Sequence, residues 1–279
     1  MNQMSPQPQA DVSRANRIMG AMVEDVRLFA SAWMKRSAHA DQQLLPWQTV
    51  LLAVFGLLLL VFGLGFVVDD AASALARTFS PNVIDFFGHV TQLGASGYIF
   101  FLSVLIVVAS VALRCFVNSA RMRMALTLIA GRAFFIVAVN LVSGLFSLVA
   151  KNLVGRARPG PFGSFHFEPF TFVAKFASFP SGHSITIFAT TLALALIMPR
   201  WRWPLLFVAL SVGASRVIIN THYTSDVLAG AIFGAATTVL LARAFAARRI
   251  VFEPTSTLPK VRGAGFVASV VPQFLGKRS

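Results

Sequence analysis

The sequence predicts an all-α, polytopic membrane protein with six transmembrane helices and short interfacial helices. Of its 279 residues, 56% are hydrophobic and only 12% are charged, and the mean hydropathy is +0.73. Soluble domains carry about 25% charged residues, so this composition excludes an ordinary soluble domain. Apolar runs of about 20 residues, long enough to cross the bilayer core, recur along the chain. Composition and recurrence together predict the fold class.

The charge balance is strongly basic, with 24 Lys and Arg against 10 Asp and Glu and a formal net charge of +14. In a soluble protein this excess would suggest nucleic acid as a partner, but no groove-reading motif accompanies it. Many of the bases lie in short loops between apolar runs, which is typical of cytoplasmic loops that meet anionic lipid. We therefore expect the lipid bilayer as a partner and no nucleic acid. The sequence does not indicate an oligomeric state.

Residues 1–46 are predicted to form a cytoplasmic leader. After a Pro- and Gln-rich start, apolar residues recur at helical spacing, namely Met19, Met22, Val26, Phe29 and Trp33. This pattern predicts an amphipathic helix that lies on the membrane surface or packs against the protein's own cytoplasmic loops. The first long apolar run begins too late and is too long for a signal peptide.

Six spans are predicted within a transmembrane domain at 47–247, followed by a basic cytoplasmic tail at 248–279. The spans cover 47–68, 97–113, 124–150, 181–198, 205–220 and 223–242. Asp69 and Asp70 are expected to close the first span, and 71–96 is expected to form short interfacial helices around the break at Ser80-Pro81. In the sixth span, the spacing of Gly230 and Gly234 favours close approach of another helix.

The loops predict the orientation. Arg or Lys residues occur in the N-terminal segment, the 114–123 loop, the 199–204 turn and the C-terminal segment, all on one side of the six spans. The 69–96 loop has three Asp residues against one Arg. Cytoplasmic loops are enriched in Lys and Arg, so both termini are predicted to be cytoplasmic. In a bacterium, the other face of the inner membrane is the periplasmic face.

Polar residues interrupt the apolar pattern in three places. They are Lys151 and Arg158 after the third span, Ser181-Gly182-His183 at the start of the fourth, and Arg216, His222 and Asp226 at the junction of the fifth and sixth. An even number of crossings separates these groups, so all of them fall at one membrane face, which the orientation makes the periplasmic face. Ionisable residues at such positions are costly to bury and are usually functional.

The fourth span begins as an anion site would. Ser181 and Gly182 start a helix whose unpaired N–H groups and positive dipole end favour a bound anion. His183, one residue further, is placed to give or take a proton beside that anion. Lys151 and Arg158 are seven residues apart, so on one continuous helix they would share a face and present two cations to a phosphate. Interfacial snorkelling is the alternative explanation for this pair.

His222 and Asp226 are four residues apart, which on a helix places the carboxylate beside the imidazole. Asp226 could then hold one ring N–H and leave the other nitrogen free to attack. Arg216 adds a third cation. After Asp85 the only carboxylates are Glu168, Asp226 and Glu253. Because three separated acids do not form a metal cluster, we expect no metal ion and no cofactor.

These residues resemble the three-part signature of the type-2 phosphatidate phosphatase superfamily, which also includes vanadium haloperoxidases and bacterial acid phosphatases. The motifs are Lys151-x6-Arg158-Pro159, then Pro180-Ser181-Gly182-His183, then Ser215-Arg216-x5-His222-x3-Asp226. The resemblance implies that His222 attacks phosphorus to form a phosphohistidine intermediate and that Asp226 orients His222. It also implies that His183 protonates the leaving oxygen and then activates water. The phosphoryl oxygens would be held by the remaining signature residues, Lys151, Arg158, Ser181, Gly182 and Arg216.

The expected function is hydrolysis of a phosphate monoester or diphosphate on a membrane lipid. Candidate substrates are lipid A 1-phosphate, undecaprenyl diphosphate and glycerophospholipid phosphates. The Phe-rich loop at 159–179 either borders a lateral opening for such a lipid or packs on the helix ends. Two other functions remain open: a phosphotransferase with the same intermediate, and a non-catalytic lipid-phosphate binder or transporter.

Overall fold

The computed structural model describes residues 46–255 without a break, together with scattered positions between 16 and 34 and between 259 and 270. The continuous part is mostly helical. Its α-helices are α1 (Trp47–Ala76), α2 (Pro81–Gln92), α3 (Ser96–Arg114), α4 (Ala120–Val154), α5 (Gly182–Ile197), α6 (Arg202–Ile218) and α7 (Thr224–Ala247). Single 3₁₀ turns occur at Ala174–Phe176 and Pro199–Trp201. The predicted leader helix falls mostly outside the described residues.

Four stretches of the described chain are long and apolar enough to cross a membrane. They are α1, the stretch Pro81–Arg114 that contains α2 and α3, α4, and α7. Exposed large apolar side chains occur along the length of α1, which is the surface expected of a helix that faces lipid. Helix α5 is equally apolar, but its 16 residues rise only about 24 Å against a core of about 30 Å. A polytopic membrane protein is therefore confirmed, whereas six spans remain a prediction.

The first helix does not end where the sequence suggested. It continues through Asp69 and Asp70 to Ala76, about two turns beyond the expected boundary at Val68. The Asp69 carboxylate is buried and bound by side chains from other parts of the chain, so it does not act as a water-exposed stop. The expected break at Ser80-Pro81 is present, and α2 follows it as a short helix.

Helices α5 and α7 pack tightly at the centre of the fold. A Cβ atom at Gly230 would lie 2.8 Å from the backbone oxygen of Ser181, and one at Gly234 would lie 2.4 Å from that of Ile185. Only glycine allows the two backbones to approach this closely. The predicted Gly-x-x-x-Gly contact is therefore confirmed, and it places the start of α5 beside the start of α7.

The chain after α7 folds back onto the bundle. Short strands β1 (Phe252–Glu253) and β2 (Lys260–Val261) pair in antiparallel register, so the all-α prediction missed a two-stranded sheet. Phe252 is fully buried and packs edge-on against Phe135 of α4, and Phe135 in turn contacts Phe245 of α7. The first residues of the expected tail thus belong to the hydrophobic core at that end of the bundle.

Candidate active site

The start of α5 is capped from within. Ser181 is the N-cap residue, and its Oγ accepts hydrogen bonds from Ser184 N at 3.5 Å and Ser184 Oγ at 3.0 Å. Its own N–H donates to the backbone oxygen of Asp226 at 3.0 Å. Ser181 is fully buried, so its side chain serves mainly as the cap. The N–H groups of the first helical turn, which lack intrahelical acceptors, remain suited to an anion.

Lys151 lies directly against Gly182. A Cβ atom at residue 182 would be 3.1 Å from Lys151 Nζ and 3.3 Å from Ser147 Oγ, so a larger residue would crowd the ammonium group. Helix α4 ends three residues later at Val154, where Gly155 adopts the left-handed conformation with φ 61°. A side chain at Gly155 would collide with the backbone of Glu168, so only glycine permits this turn.

Arg158 reaches the site from an extended segment, because α4 ends at Val154. Lys151 and Arg158 therefore do not share a helical face, which corrects the argument from their spacing. Arg158 N donates to the oxygen of Lys175 at 2.9 Å, and its Nε donates to the oxygen of Ala174 at 3.1 Å. Burial lowers the pKa of Arg158, and the nearby Asp226 carboxylate opposes that shift.

Arg216 has two roles in the geometry of the site. Its Nη1 donates to Thr91 Oγ1 of α2 at 2.8 Å, which fixes the buried guanidinium. Its backbone oxygen accepts from the N–H groups of Thr221 and His222, which folds the turn between α6 and α7. Among the described residues, Arg216 Nε has no hydrogen-bond partner, so this buried donor suits an anionic ligand.

His222 is 2% exposed, and its Nδ1 lies 2.8 Å from the backbone oxygen of Ser178. Asp226 Oδ2 is further away, at 3.8 Å from the same nitrogen. A proton on Nδ1 that is shared with this carbonyl leaves Nε2 with its lone pair. Burial lowers the pKa of His222 to about 4 despite the carboxylate, so the imidazole is neutral at pH 7.

The structure brings His183 close to His222 and to the three cations. His183, in the first turn of α5, interacts electrostatically with His222 and with Arg216, Lys151 and Arg158. Lys151 likewise interacts with both arginines and with Asp226. Three separate stretches of sequence thus form one cationic pocket. Such a pocket can bind a phosphoryl group and stabilise the negative charge that develops during its transfer.

Asp226 occupies the first turn of α7 and is fully buried. Its Oδ2 accepts from Tyr223 N at 3.0 Å, as part of a capping box, and from Ser178 Oγ at 2.6 Å. Its Oδ1 accepts from Arg156 Nη1 at 2.6 Å. The carboxylate therefore acts on His222 in two ways: through its charge, and by fixing Ser178, whose carbonyl binds the ring.

Comparison with known proteins identifies the family. A model of the PAP2 superfamily matches residues 132–250. The lipid A 1-phosphatase of Rhizobium johnstonii is 32% identical over 213 residues, which cover 75% of this chain and 85% of that protein. This chain belongs to the PAP2 superfamily.

Two further similarities are with a curated protein and a solved structure. The undecaprenyl-diphosphatase of Sulfolobus acidocaldarius is 32% identical over 91 residues, 31% of this chain and 42% of that protein. The crystal structure of a transmembrane PAP2-type phosphatidylglycerolphosphate phosphatase from Bacillus subtilis has 23% identity and a TM-score of 0.49, and it covers 70% of this chain and 93% of that one.

Two buried residues of this PAP2 site escaped the sequence reasoning. Arg156 lies between the signature residues Lys151 and Arg158, and Asp69 lies in α1, far from all three motifs in sequence. Asp69 was interpreted as the end of a span, although an acid beside an apolar helix is also a signal of function. No sequence pattern pairs it with Arg156, because 87 residues separate the two.

Proposed function

We propose that this PAP2 protein is a metal-independent lipid phosphatase that works through a phosphohistidine at His222, with lipid A 1-phosphate as the leading substrate. The observation that carries the proposal is the buried, neutral imidazole of His222, which lies near Arg158 and Arg216, while Lys151 joins both arginines near the neighbouring His183. A neutral histidine is a nucleophile, and three cations attract a phosphate. No group of three or more His, Cys, Asp or Glu side chains that could hold a metal occurs among the described residues.

The first step transfers the phosphoryl group to the protein. The three cations and the N–H groups at the start of α5 bind the phosphoryl oxygens, and Nε2 of His222 attacks phosphorus. A P–N bond forms as the P–O bond to the lipid breaks, and His183, which the negative charge of the bound phosphate keeps protonated, gives its proton to the leaving oxygen. Asp226 stabilises the positive charge that develops on the His222 ring.

The second step releases inorganic phosphate. His183, now neutral, accepts a proton from a water molecule whose oxygen attacks phosphorus. A P–O bond forms and the P–N bond breaks, which returns His222 to its neutral state and His183 to its protonated state. The cations that stabilised the first transition state stabilise the second, because the charge on the phosphoryl oxygens is similar in both.

A lipid substrate is supported by the loop above the pocket. Phe165 stacks on Phe66 of α1 with ring centroids 4.0 Å apart, so part of the Phe-rich loop packs on the helix ends. Phe170 and Phe172 of the same loop are 76% and 86% exposed. Isolated large rings of this kind suit a membrane interface or the tails of a bound lipid. The similarity to a lipid A 1-phosphatase over most of its length favours lipid A among the candidates.

The location follows from the charge of the loops. We place both termini in the cytoplasm and the pocket at the periplasmic face of a bacterial inner membrane, where the phosphate of an outer-leaflet lipid is reached directly. Undecaprenyl diphosphate is the second candidate substrate, because a relative of that name is 32% identical over 91 residues of this chain.

The test is phosphate release by purified protein from a panel of lipid A, undecaprenyl diphosphate, phosphatidylglycerophosphate and phosphatidate. We expect lipid A to be the best substrate and free phosphate to appear without an added acceptor, which a phosphotransferase would require. His222→Ala and His183→Ala should abolish release, and both proteins should remain folded. Normal release by His222→Ala would contradict the phosphohistidine mechanism. No release by the wild type would leave the phosphotransferase and the lipid-phosphate binder, and transfer of phosphate to an added acceptor would separate these two.

A further inference from the structure

Arg156 is the largest side chain that is fully buried in the described part of the protein, with 1% exposure. Its guanidinium donates to Ser164 O at 2.9 Å through Nε, to Ser225 Oγ at 2.7 Å and Asp226 Oδ1 at 2.6 Å through Nη1, and to Asp69 Oδ2 at 2.8 Å through Nη2. One cation thus bridges a carboxylate of α1 and the carboxylate at the start of α7.

This cluster contains two buried carboxylates and one buried guanidinium, and each of these three charged groups is hydrogen-bonded. Asp69 also accepts from the N–H of Ser225 at 2.9 Å and from the hydroxyl of Ser225. The ring of Tyr223 lies 4.6 Å from the guanidinium carbon of Arg156. Burial lowers the pKa of Arg156, but Asp226 and Asp69 outweigh it and raise the pKa above its ordinary value. A buried ion cluster is favourable only when its members are hydrogen-bonded in this way.

The cluster is connected to His222 through Ser178. The backbone oxygen of Arg156 accepts from Ser178 N at 3.0 Å, and the side chain of Arg156 holds Asp226, which accepts from Ser178 Oγ at 2.6 Å. Ser178 is therefore held at its backbone and at its side chain by groups that Arg156 positions. Its carbonyl in turn binds His222 Nδ1 at 2.8 Å.

We propose that Arg156 and Asp69 form an ionic clamp on Asp226 and Ser178 that positions the His222 ring for attack on phosphorus. The inference rests on the proposed function of His222 as the nucleophile. Both are positioning residues, since neither touches the reacting atoms. Asp69 brings α1 into the reaction, although α1 contributes none of the signature residues.

The clamp acts on the Nδ1 side of the imidazole, whereas the proposed attack on phosphorus uses Nε2. Arg156 acts through groups near Nδ1, and neither Arg156 nor Asp69 is one of the three cations that bind the phosphate in the proposed mechanism. Loosening the clamp should therefore misalign the nucleophile and leave the cations in place. The rate of the chemical step should fall, and binding of the substrate should change little.

The experiment compares Asp69→Asn with Asp70→Asn. Asp70 is the adjacent residue of the same helix, and its carboxylate accepts only from Ser164 among the described residues, at 3.2 Å from N and 2.9 Å from Oγ. With the best lipid of the panel, we expect Asp69→Asn to lower kcat about 10-fold to 100-fold. This is the range for residues that orient the ligands of a metal site, which also act through a neighbouring group and not on the substrate itself. We expect its KM, and both constants of Asp70→Asn, to stay within about twofold of wild type.

Arg156→Lys provides the second measurement, because removal of the charge in Arg156→Gln risks unfolding by leaving two buried acids without a cation. A lysine retains the charge but cannot bridge both carboxylates with the same fork geometry. We expect a loss in kcat of at least 10-fold with KM little changed. Equal kcat for wild type, Asp69→Asn and Arg156→Lys, each folded, would overturn the clamp.

Vanadate binding separates failure of the clamp from failure of the proposed function. Vanadate is the probe because it can bond to an imidazole nitrogen that keeps its lone pair, and this bond needs no lipid. We expect the wild type to bind it, His222→Ala not to bind it, and Asp69→Asn to bind it at least 10-fold more weakly than Asp70→Asn. If vanadate binding shows these three results but the wild type hydrolyses no lipid, the clamp is supported and the proposed function is overturned. Absence of both vanadate binding and hydrolysis in the wild type would overturn both.

Discussion

The contact between α5 and α7 predicts that Gly230→Ala separates the two halves of the active site. A Cβ atom at residue 230 would lie 2.8 Å from Ser181 O and 2.8 Å from Ser184 Cβ, whereas ordinary van der Waals contact begins at 3.4 Å. The helices must therefore move apart by about 0.6 Å, because one of the opposing atoms belongs to the backbone and has no rotamer to change.

This displacement acts on the geometry of the reaction. His183, the proposed proton donor, lies on α5, and Asp226, which orients the proposed nucleophile His222, lies on α7. A separation of the two helices therefore moves the proton donor relative to the nucleophile. Misplacement by 1 Å can cost about 100-fold in rate, and we expect kcat to fall by about 10-fold for the smaller shift. Overpacking of this kind also lowers stability by about 1–3 kcal/mol.

The assay is kcat with the best lipid substrate together with the thermal midpoint in detergent. Gly144→Ala is the matched control, because it lies within α4 and a Cβ there meets nothing within 4 Å. It should leave both measurements unchanged or raise the midpoint slightly, since alanine favours a helix by about 0.5–1 kcal/mol. If Gly230→Ala behaves like Gly144→Ala in both measurements, the close packing of α5 and α7 does not control the site.

Three other predictions concern protonation, metal dependence and topology. Histidine-selective NMR, with His222→Asn to assign the signal, should show His222 neutral from pH 8 to about 5, because burial lowers its pKa to about 4; titration near pH 6.5 would contradict this. Since the folded state favours the neutral ring, the associated stability should be present above about pH 6.5 and be lost as the pH falls towards about 4. Phosphate release should persist in EDTA and be inhibited by vanadate, whereas loss in EDTA with recovery on adding Mg²⁺ would show a metal requirement. Phe172→Cys, in a Cys115→Ser background, should react with an impermeant thiol reagent from the periplasmic side, because Phe172 is 86% exposed in the loop above the pocket; protection until the inner membrane is broken would reverse the topology.

The agreement between sequence and structure is best where the signal is local. Helix α3 lies within one residue of the apolar run at 97–113 at both ends, because polar or charged residues bound that run. Helix α7 begins within one residue of the run at 223–242, but it continues past Arg243 to Ala247. The glycine spacing in α7 correctly predicted a close helix contact. Agreement is worse at α1, where burial of Asp69 by a distant arginine allows the helix to continue past the expected boundary.

In the site, too, local sequence signals were interpreted correctly more often than contacts between distant residues. Even crossing numbers and the three motifs predicted that Lys151, Arg158, His183, Arg216 and His222 lie together, and the structure brings these residues into one site. The sequence argument that Lys151 and Arg158 share a helical face was wrong, because spacing alone does not reveal that Gly155 ends the helix in a left-handed turn. The direct partner of His222 Nδ1 was also not foreseen, since Ser178 contributes a backbone carbonyl that any residue type could provide.

The sequence by itself determined the membrane class, the family and the candidate residues for the chemistry, because hydropathy and motif spacing are properties of short segments. Only the tertiary structure decided which groups hold those residues in place. Arg156 lies 87 positions from Asp69 and 70 from Asp226, and the three meet only after α1, the 155–158 segment and α7 have packed together. The physical reason is that a buried charge takes its partners from whatever the fold brings within hydrogen-bond distance, and a linear pattern does not contain that distance.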